Sequence, residues 1–244
     1  MTKSCFISII IPVFNEEDCI EKTLDRIVEY MSKKEFSYEI IVADDGSTDK
    51  TKDVVEKVAQ KYKDVDIKFV SEGVHKGKGF AVSIGMKNAS GDYVLFLDAD
   101  LSTDISEIDK FLNYTKEYDI VIGSRALKNS KILIHQPFYR ELGGKLFNKF
   151  IKLVLGLPYN DTQCGAKMFR REAAKKIFSN INITGFSFDI EVLLLAKIYN
   201  YKVIEIPVVW RHSFDTKIKF LKDGLKMVVD LIKIKYNYLK GKYK

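Results

Sequence analysis

Through the first 124 residues, short β-branched apolar runs alternate with polar stretches of helical periodicity. The run from Phe6 to Val13, FISIIIPV, lacks the apolar and polar alternation of a half-exposed strand, so it needs cover on both faces. Asn15-Glu16-Glu17 then opens a helical stretch to about Lys34. Tyr38 to Ala43 forms a second strand, Asp45-Gly46-Ser47-Thr48-Asp49 a turn and N-cap cluster, and Lys50 to Tyr62 a helix with Val54, Val55 and Val58 inward. Ile67 to Val70, Tyr93 to Leu97 and Asp119 to Ile122 continue the strands, separated by helices over about Gly77 to Ala89 and Ile105 to Glu117. Such alternation restricts the chain to an α/β fold on a mostly parallel sheet flanked by helices.

The second half is less regular. A Phe/Leu/Lys-rich amphipathic helix is expected from His135 to Leu157, a short strand from Ala166 to Phe169, and helices over Arg171 to Phe178 and Phe188 to Tyr199. Val203 to Trp210 reads as one more strand. From Ile218 to Leu239, Phe220, Leu221, Leu225, Val228, Leu231, Ile232 and Tyr236 recur at helical spacing among lysines. No repeat or sharp boundary divides the chain, which gives one expected domain over residues 1–210 and a basic amphipathic helical region over 211–244.

Charge and cysteines narrow the setting. The whole net charge of +7 lies after Trp210, where ten basic residues meet only Asp215, Asp223 and Asp230. Cys5, Cys19 and Cys164 are odd in number, far apart and in no C-x-x-C pair, which argues against a disulfide framework or zinc site and for a reducing compartment. Cys164 reads as structural, Trp210 as packing, and His75, His135 and His212 as ordinary surface residues. The longest apolar run is far below the roughly 18 residues of a membrane span, and no signal peptide is expected.

In open α/β sheets ligands bind beyond the carboxyl ends of the strands. Three strand ends here are acidic or amidic: Asn15-Glu16, Asp44-Asp45-Gly46-Ser47 and Asp98-Ala99-Asp100. Carboxylates gathered at one sheet edge repel unless a cation or hydrogen-bond donors compensate. Asp98 and Asp100 present two hard oxygen ligands suited to Mg²⁺ or Mn²⁺ shared with a nucleotide's phosphates, although a turn or helix cap uses the same pattern. No counter-charge for the pair is visible nearby in sequence. Lys76-Gly77-Lys78-Gly79 offers backbone N–H groups and two ammoniums to an anion, or simply starts a helix. It matches neither the Walker nor the dinucleotide loop.

Together these words resemble family 2 glycosyltransferases, whose nucleotide-sugar-binding fold is termed GT-A. The matching segments are Ile11-Pro12-Val13-Phe14-Asn15-Glu16, Asp44 to Asp49, Lys76 to Gly79, Asp98-Ala99-Asp100 and Gly123-Ser124-Arg125, in the family's order. Asp161-Thr162-Gln163-Cys164-Gly165, Lys167 to Arg170, Phe188-Asp189-Ile190-Glu191 and Trp210 resemble the dolichyl-phosphate glucosyltransferase branch. The resemblance implies that Pro12, Phe14, Glu16, Val42, Asp44 and Asp45 line the base and ribose pocket. Lys78, Asp98 and Ala99 would serve the donor phosphates, with Asp98 and Asp100 holding the metal. Arg125 would bind the donor diphosphate and Arg140 the acceptor phosphate, while Gln163, Lys167 and Arg211 fall on the acceptor side. Asp189, with the two arginines, is the expected catalytic group, as base or as positioner. Ser102 stands where many polyprenyl-phosphate mannosyltransferases have Gln, which leaves metal ligation beyond the two aspartates open.

The implied reaction is inverting transfer of a hexose, glucose from UDP-glucose in the first instance, to dolichyl or polyprenyl phosphate. GDP-mannose with a polyprenyl phosphate is the alternative donor reading. A soluble nucleotidyltransferase would leave Asp161 to Arg170 and Phe188 to Glu191 unexplained. The Tyr-interleaved lysines of the tail would suit nucleic acid. Their helical period favours an anionic membrane surface instead, so no nucleic-acid partner is expected and the location is peripheral, on the cytoplasmic face.

Overall fold

The computed structural model describes residues 6–213 and 220–243. Strands β1 (Phe6–Val13), β2 (Ser37–Asp44), β3 (Asp66–Ser71), β4 (Tyr93–Leu97) and β5 (Ile120–Ser124) alternate with helices α1 (Ile20–Met31), α2 (Thr51–Lys61), α3 (Lys78–Asn88) and α4 (Ile108–Leu112). Then come β6 (Lys131–Ile134), α5 (Phe138–Leu155), β7 (Ala166–Arg170), α6 (Arg171–Phe178), α7 (Phe188–Ile198), β8 (Val203–Pro207), β9 (Val209–Arg211) and α8 (Phe220–Leu239). Seven strands form one sheet in the order β3-β2-β1-β4-β7-β5-β8, and β6 pairs with β9 in a small second sheet.

Successive side chains of β1 point to opposite faces, and both faces are dry. Ile10 enters a core layer with α3, α6 and α7, while Ile7, Ile9 and Ile11 enter the layer with α1 and α2. That double burial is why the run carries no polar alternation. Strands β1, β2 and β3 run in one direction across the sheet and β4 returns to the other side of β1, so the order reverses between β1 and β4. A crevice opens at such a reversal, beyond the strands' carboxyl ends.

The sheet is mostly parallel, as expected, with β7 running antiparallel between β4 and β5. Three sequence expectations need correction. The stretch Val203 to Trp210 divides at Val208, whose N–H donates to Ser124 O and whose carbonyl accepts from Lys131 N, so β8 and β9 join different sheets. Helix α1 starts at Ile20 because Asn15, at φ 55°, and Glu16 are stitched to the Ser47–Thr51 segment. Asn15 N–H donates to Ser47 Oγ (2.8 Å) and Glu16 N–H to Thr51 Oγ1 (2.8 Å). Finally, α4 covers only Ile108–Leu112 after a 3-10 turn at Ile105–Glu107.

The C-terminal region packs as part of the main body. Leu231, Ile234 and Tyr243 are buried in the core layer that also holds Ile190 and Leu194 of α7. The expected single stripe of α8 therefore splits: Leu231 faces inward, whereas Leu225, Ile232 and Tyr236 face outward. Ile218 and the side chains of Phe220 and Leu221 lie outside the described residues.

One buried carboxylate locks the parallel strands. Glu39, on β2, accepts from Ser8 Oγ of β1 (2.5 Å), Lys68 Nζ of β3 (2.6 Å), and Ser90 N–H and Oγ–H (2.8 and 2.7 Å). Burial opposes its ionisation, but these donors hold it at about 2 against an ordinary 4.5. Its stabilisation, about 3 kcal/mol, is complete above the unfolded pKa and disappears as pH falls toward the folded one. Glu39→Gln should therefore be destabilised by about that amount at neutral pH in urea unfolding, with the gap to wild type closing as pH falls from 4.5 to about 2. A gap independent of pH would contradict this account.

Candidate active site

The carboxyl ends of β1 and β2 are built on two buried aspartates. Asp44 turns on itself, accepting from Gly46 N–H (3.0 Å) and Ser47 N–H (3.1 Å), and also from Ser71 Oγ at the end of β3 (2.8 Å). Asp45 reaches outward and accepts from Lys76 N–H (2.8 Å), Gly77 N–H (2.8 Å) and His75 Nδ1 (2.8 Å). Gly46 is required here, since at φ +77° a Cβ would meet the backbone of Val74 and His75 at 2.7 Å. The two loops thus form one body, from which α3 springs with Lys78 as its first residue.

Against that body the sequence-predicted pocket residues separate. Phe14 stacks on the His75 ring with centroids 4.1 Å apart. Glu16 is half-buried and accepts from Cys19 Sγ (3.1 Å). Pro12 and Val42 are buried inside their strands, Val42 wholly within the apolar core, so its side chain offers a ligand no surface. Helices α1 and α2, packed on that face of the sheet, decide that, and a strand-end motif cannot report it. His75 is exposed, as its reading as a surface residue expects, and there it also joins Phe14 to Asp45. Its only sequence signal is adjacency to Lys76-Gly77.

Asp98-Ala99-Asp100 directly follows the end of β4 at Leu97. Lys78 Nζ lies 2.5 Å from Asp98 Oδ1, so the aspartate pair does have a counter-charge, contrary to the sequence expectation. The glycine loop supplies it from 20 positions away, a partnership only the folded α3 start creates. Asp100 accepts from Ser102 N–H and Oγ–H (2.9 Å each). Desolvation and the neighbouring Asp98 charge push its carboxyl up. Lys78 is held charged by Asp98, Asp189 and Asp100 although burial opposes it. A Cβ on Gly165 would collide with the Asp98 carboxylate, so the chain can approach this close only as glycine. Two hard oxygen donors suit a divalent cation that completes its shell with phosphate and water. No group of three His, Cys, Asp or Glu able to hold a metal occurs among the described residues.

The antiparallel course of β7 brings Asp161–Gly165 to this edge, where Asp98 N–H donates to Gly165 O (3.2 Å). Arg125 grips Asp161 through Nε (2.7 Å) and Nη2 (2.9 Å), and its guanidinium lies 5.4 Å from the Trp210 ring centroid. Burial opposes the Asp161 charge, but Arg125 holds its carboxyl down at about 2. Two of the nitrogens expected to meet a diphosphate are therefore committed to a protein carboxylate. Lys167 is buried, donating to Cys164 O and Asp189 Oδ1 (2.6 Å each). Burial pushes the Asp189 carboxyl above its ordinary range against the pull of Lys167 and Lys78. Burial likewise pushes the Cys164 thiol up to about 11, as a structural cysteine requires. Gln163 donates its N–H to Asp161 Oδ1 (3.2 Å) and is half-buried. Arg211 reaches the same edge through its N–H to Ser102 O (2.9 Å), and Arg140 sits half-buried in the first turn of α5.

A family model, Glycosyl transferase family 2, matches residues 8–178. The dolichyl-phosphate beta-glucosyltransferase ALG5D of Trichomonas vaginalis is 35% identical over 96% of this chain and 74% of its own length. The human dolichyl-phosphate beta-glucosyltransferase is 31% identical over 98% of this chain and 77% of its own. Among solved structures, glucosyl-3-phosphoglycerate synthase from Mycobacterium tuberculosis, in complex with Mn²⁺, UDP-glucose and glycerol 3-phosphate, superposes with a TM-score of 0.70 at 20% identity, covering 95% of this chain and 80% of that one. Mannosyl-3-phosphoglycerate synthase from Rubrobacter xylanophilus gives 0.70 at 20% identity, over 97% and 75%. These structures establish the GT-A fold. The chain belongs to glycosyltransferase family 2 and is a glycosyltransferase related to the dolichyl-phosphate glucosyltransferases.

Proposed function

We propose that the protein transfers glucose from UDP-glucose to dolichyl or a related polyprenyl phosphate, with inversion at the anomeric carbon. The observation that carries the reading is the cluster of opposite charges at the reversal of strand order, where Lys78, Asp98 and Asp100 meet Asp189 and Lys167. The relatives named dolichyl-phosphate beta-glucosyltransferases support the choice of sugar and acceptor. An acceptor phosphate oxygen attacks the anomeric carbon as the bond from that carbon to the nucleotide's β-phosphate oxygen breaks, and UDP leaves. A lipid monophosphate has a second pKa of about 6, so it arrives already ionised and needs no strong base. Asp189, tied to Lys167, then orients groups on the acceptor side rather than taking a proton. Lys78 offers an ammonium to the donor phosphates. A Mg²⁺ or Mn²⁺ ion on Asp98 and Asp100 would draw charge from the leaving diphosphate. The Phe14–His75 stack gives a base an aromatic edge.

The acceptor's chemistry also suits the outer surface. Helix α8 turns Leu225, Val229, Ile232, Tyr236 and Leu239 outward at spacings that keep them on one face. Lys222, Lys226 and Lys233 on α8, and Lys240 just past its end, form a parallel exposed row. Helix α5 adds Phe138, Leu142, Leu146 and Leu153, the last 82% exposed. Both helices bury their opposite faces in the same core layer, through Ile151 and Leu155 and through Leu231 and Ile234. No helix among the described residues is long and apolar enough to cross a membrane. We assign this apolar, lysine-flanked surface to an anionic bilayer, where a polyprenyl phosphate must be met.

Two experiments test the reading. Purified protein with Mn²⁺, dolichyl phosphate and labelled UDP-glucose should pass label into organic-extractable lipid, and Asp100→Ala should slow this by about a hundredfold or more. Label entering lipid only from GDP-mannose would overturn the donor assignment. In flotation, the protein should rise with phosphatidylserine vesicles, release with salt, and lose about a hundredfold in affinity when Lys226, Lys233 and Lys240 become Glu. Absence of vesicle binding at low salt would remove the surface assignment.

A further inference from the structure

The contact between Lys78 and Asp98 bears on how a cation reaches this site. A divalent ion bound by Asp98 would sit about 2.1 Å from a carboxylate oxygen. Lys78 Nζ already stands 2.5 Å from Oδ1 of that carboxylate, with both side chains largely enclosed, at 25% and 28% exposure. With the ammonium in place, two cations would share one small carboxylate in a crevice with little water to screen them. Lys78 cannot withdraw by shifting its backbone. Its loop is held at φ +116° on Gly77, by the Asp45 carboxylate on the Lys76 and Gly77 N–H groups, and by Phe80 N–H on Thr184 O (3.1 Å). Only its four-carbon stem can turn, and it turns readily if another anion is offered.

We propose that Lys78 competes with the divalent cation for Asp98, so that the cation binds strongly only when a nucleoside diphosphate is present to take the ammonium. The proposal rests on the donor reading above and adds a positioning role for one side chain. In the free protein Lys78 neutralises Asp98. When a diphosphate enters, its oxygens give Lys78 a second partner, Asp98 is released to the metal, and the two ligands reinforce each other. By linkage, the factor by which the diphosphate tightens metal binding equals the factor by which metal tightens diphosphate binding.

Mn²⁺ binding followed by electron paramagnetic resonance, without acceptor or turnover, tests this. In the wild type, saturating UDP should tighten Mn²⁺ binding by about tenfold or more. In Lys78→Met, with circular dichroism confirming the fold, Mn²⁺ alone should bind about tenfold tighter than in the wild type, and UDP should tighten it by a smaller factor than in the wild type, since only direct phosphate ligation remains. Lys78→Arg, which keeps the charge, should behave as the wild type. Should Lys78→Met misfold, Lys78→Gln carries the same expectation. Mn²⁺ binding alone that is unchanged or weaker in the neutral variants would overturn the competition while leaving the donor reading standing. Failure of every form to bind Mn²⁺, even with UDP, would overturn both.

Discussion

A carboxylate taken out of water has to be answered by donors or a cation, and at the carboxyl edge of this sheet that requirement organises everything around it. Asp44, Asp45, Asp161 and Asp189 are all buried. Each is answered by a different piece of chain: Asp44 by its own turn, Asp45 by the His75–Gly77 loop, Asp161 by Arg125 and Asp189 by Lys167. The pairings draw four distant segments into one edge and hold them there. Removing one partner would leave an uncompensated buried charge, which is costly.

Charges then alternate across the crevice. Asp100 and Asp98 face Lys78, Lys78 is drawn also by Asp189, and Asp189 is bonded to Lys167. On the proposed donor reading, an entering diphosphate would meet a site whose cations are already shared among carboxylates. Binding would then be an exchange of partners more than an addition of charge. The same arrangement explains why Arg125 supports the edge: its fork on Asp161 fixes the loop whose Gly165 lies against Asp98.

The far surface follows a different constraint. Helices α5 and α8 each need only one apolar face for the core, through Ile151 and Leu155 and through Leu231 and Ile234, yet both carry a second. Tyr243, just past α8, donates its hydroxyl to Glu191 (2.6 Å), and Glu191 also accepts from Asn182 and Ile183 N–H. Glu191 lies two residues after Asp189 on α7, and the Ile183–Thr184 segment touches the Gly77–Phe80 loop. The helix with the exposed apolar face is thus bolted to the parts that seat Asp189 and Lys78.

Local pattern carried much of this. The β-branched runs and helical periods specified the strands of the first half, because double burial and 3.6-residue repeats leave their mark along the chain. The strand-end words specified which residues gather at the crevice, since strand direction alone puts Phe14, Asp44, Asp45 and Asp98 at one edge. Pairing between distant segments left no such mark. The reversal of β7 depends on how the chain returns after α5, and Lys78 meets Asp98, and His75 meets Phe14, only once loops are packed. The burial of Val42 follows from the helices α1 and α2 packed over its face of the sheet. The two faces of α8 look alike in sequence because both are apolar. Tertiary packing alone decided that Leu231 would close the core and Ile232 would face outward, since a helical period fixes angles between side chains and not which angle meets the sheet.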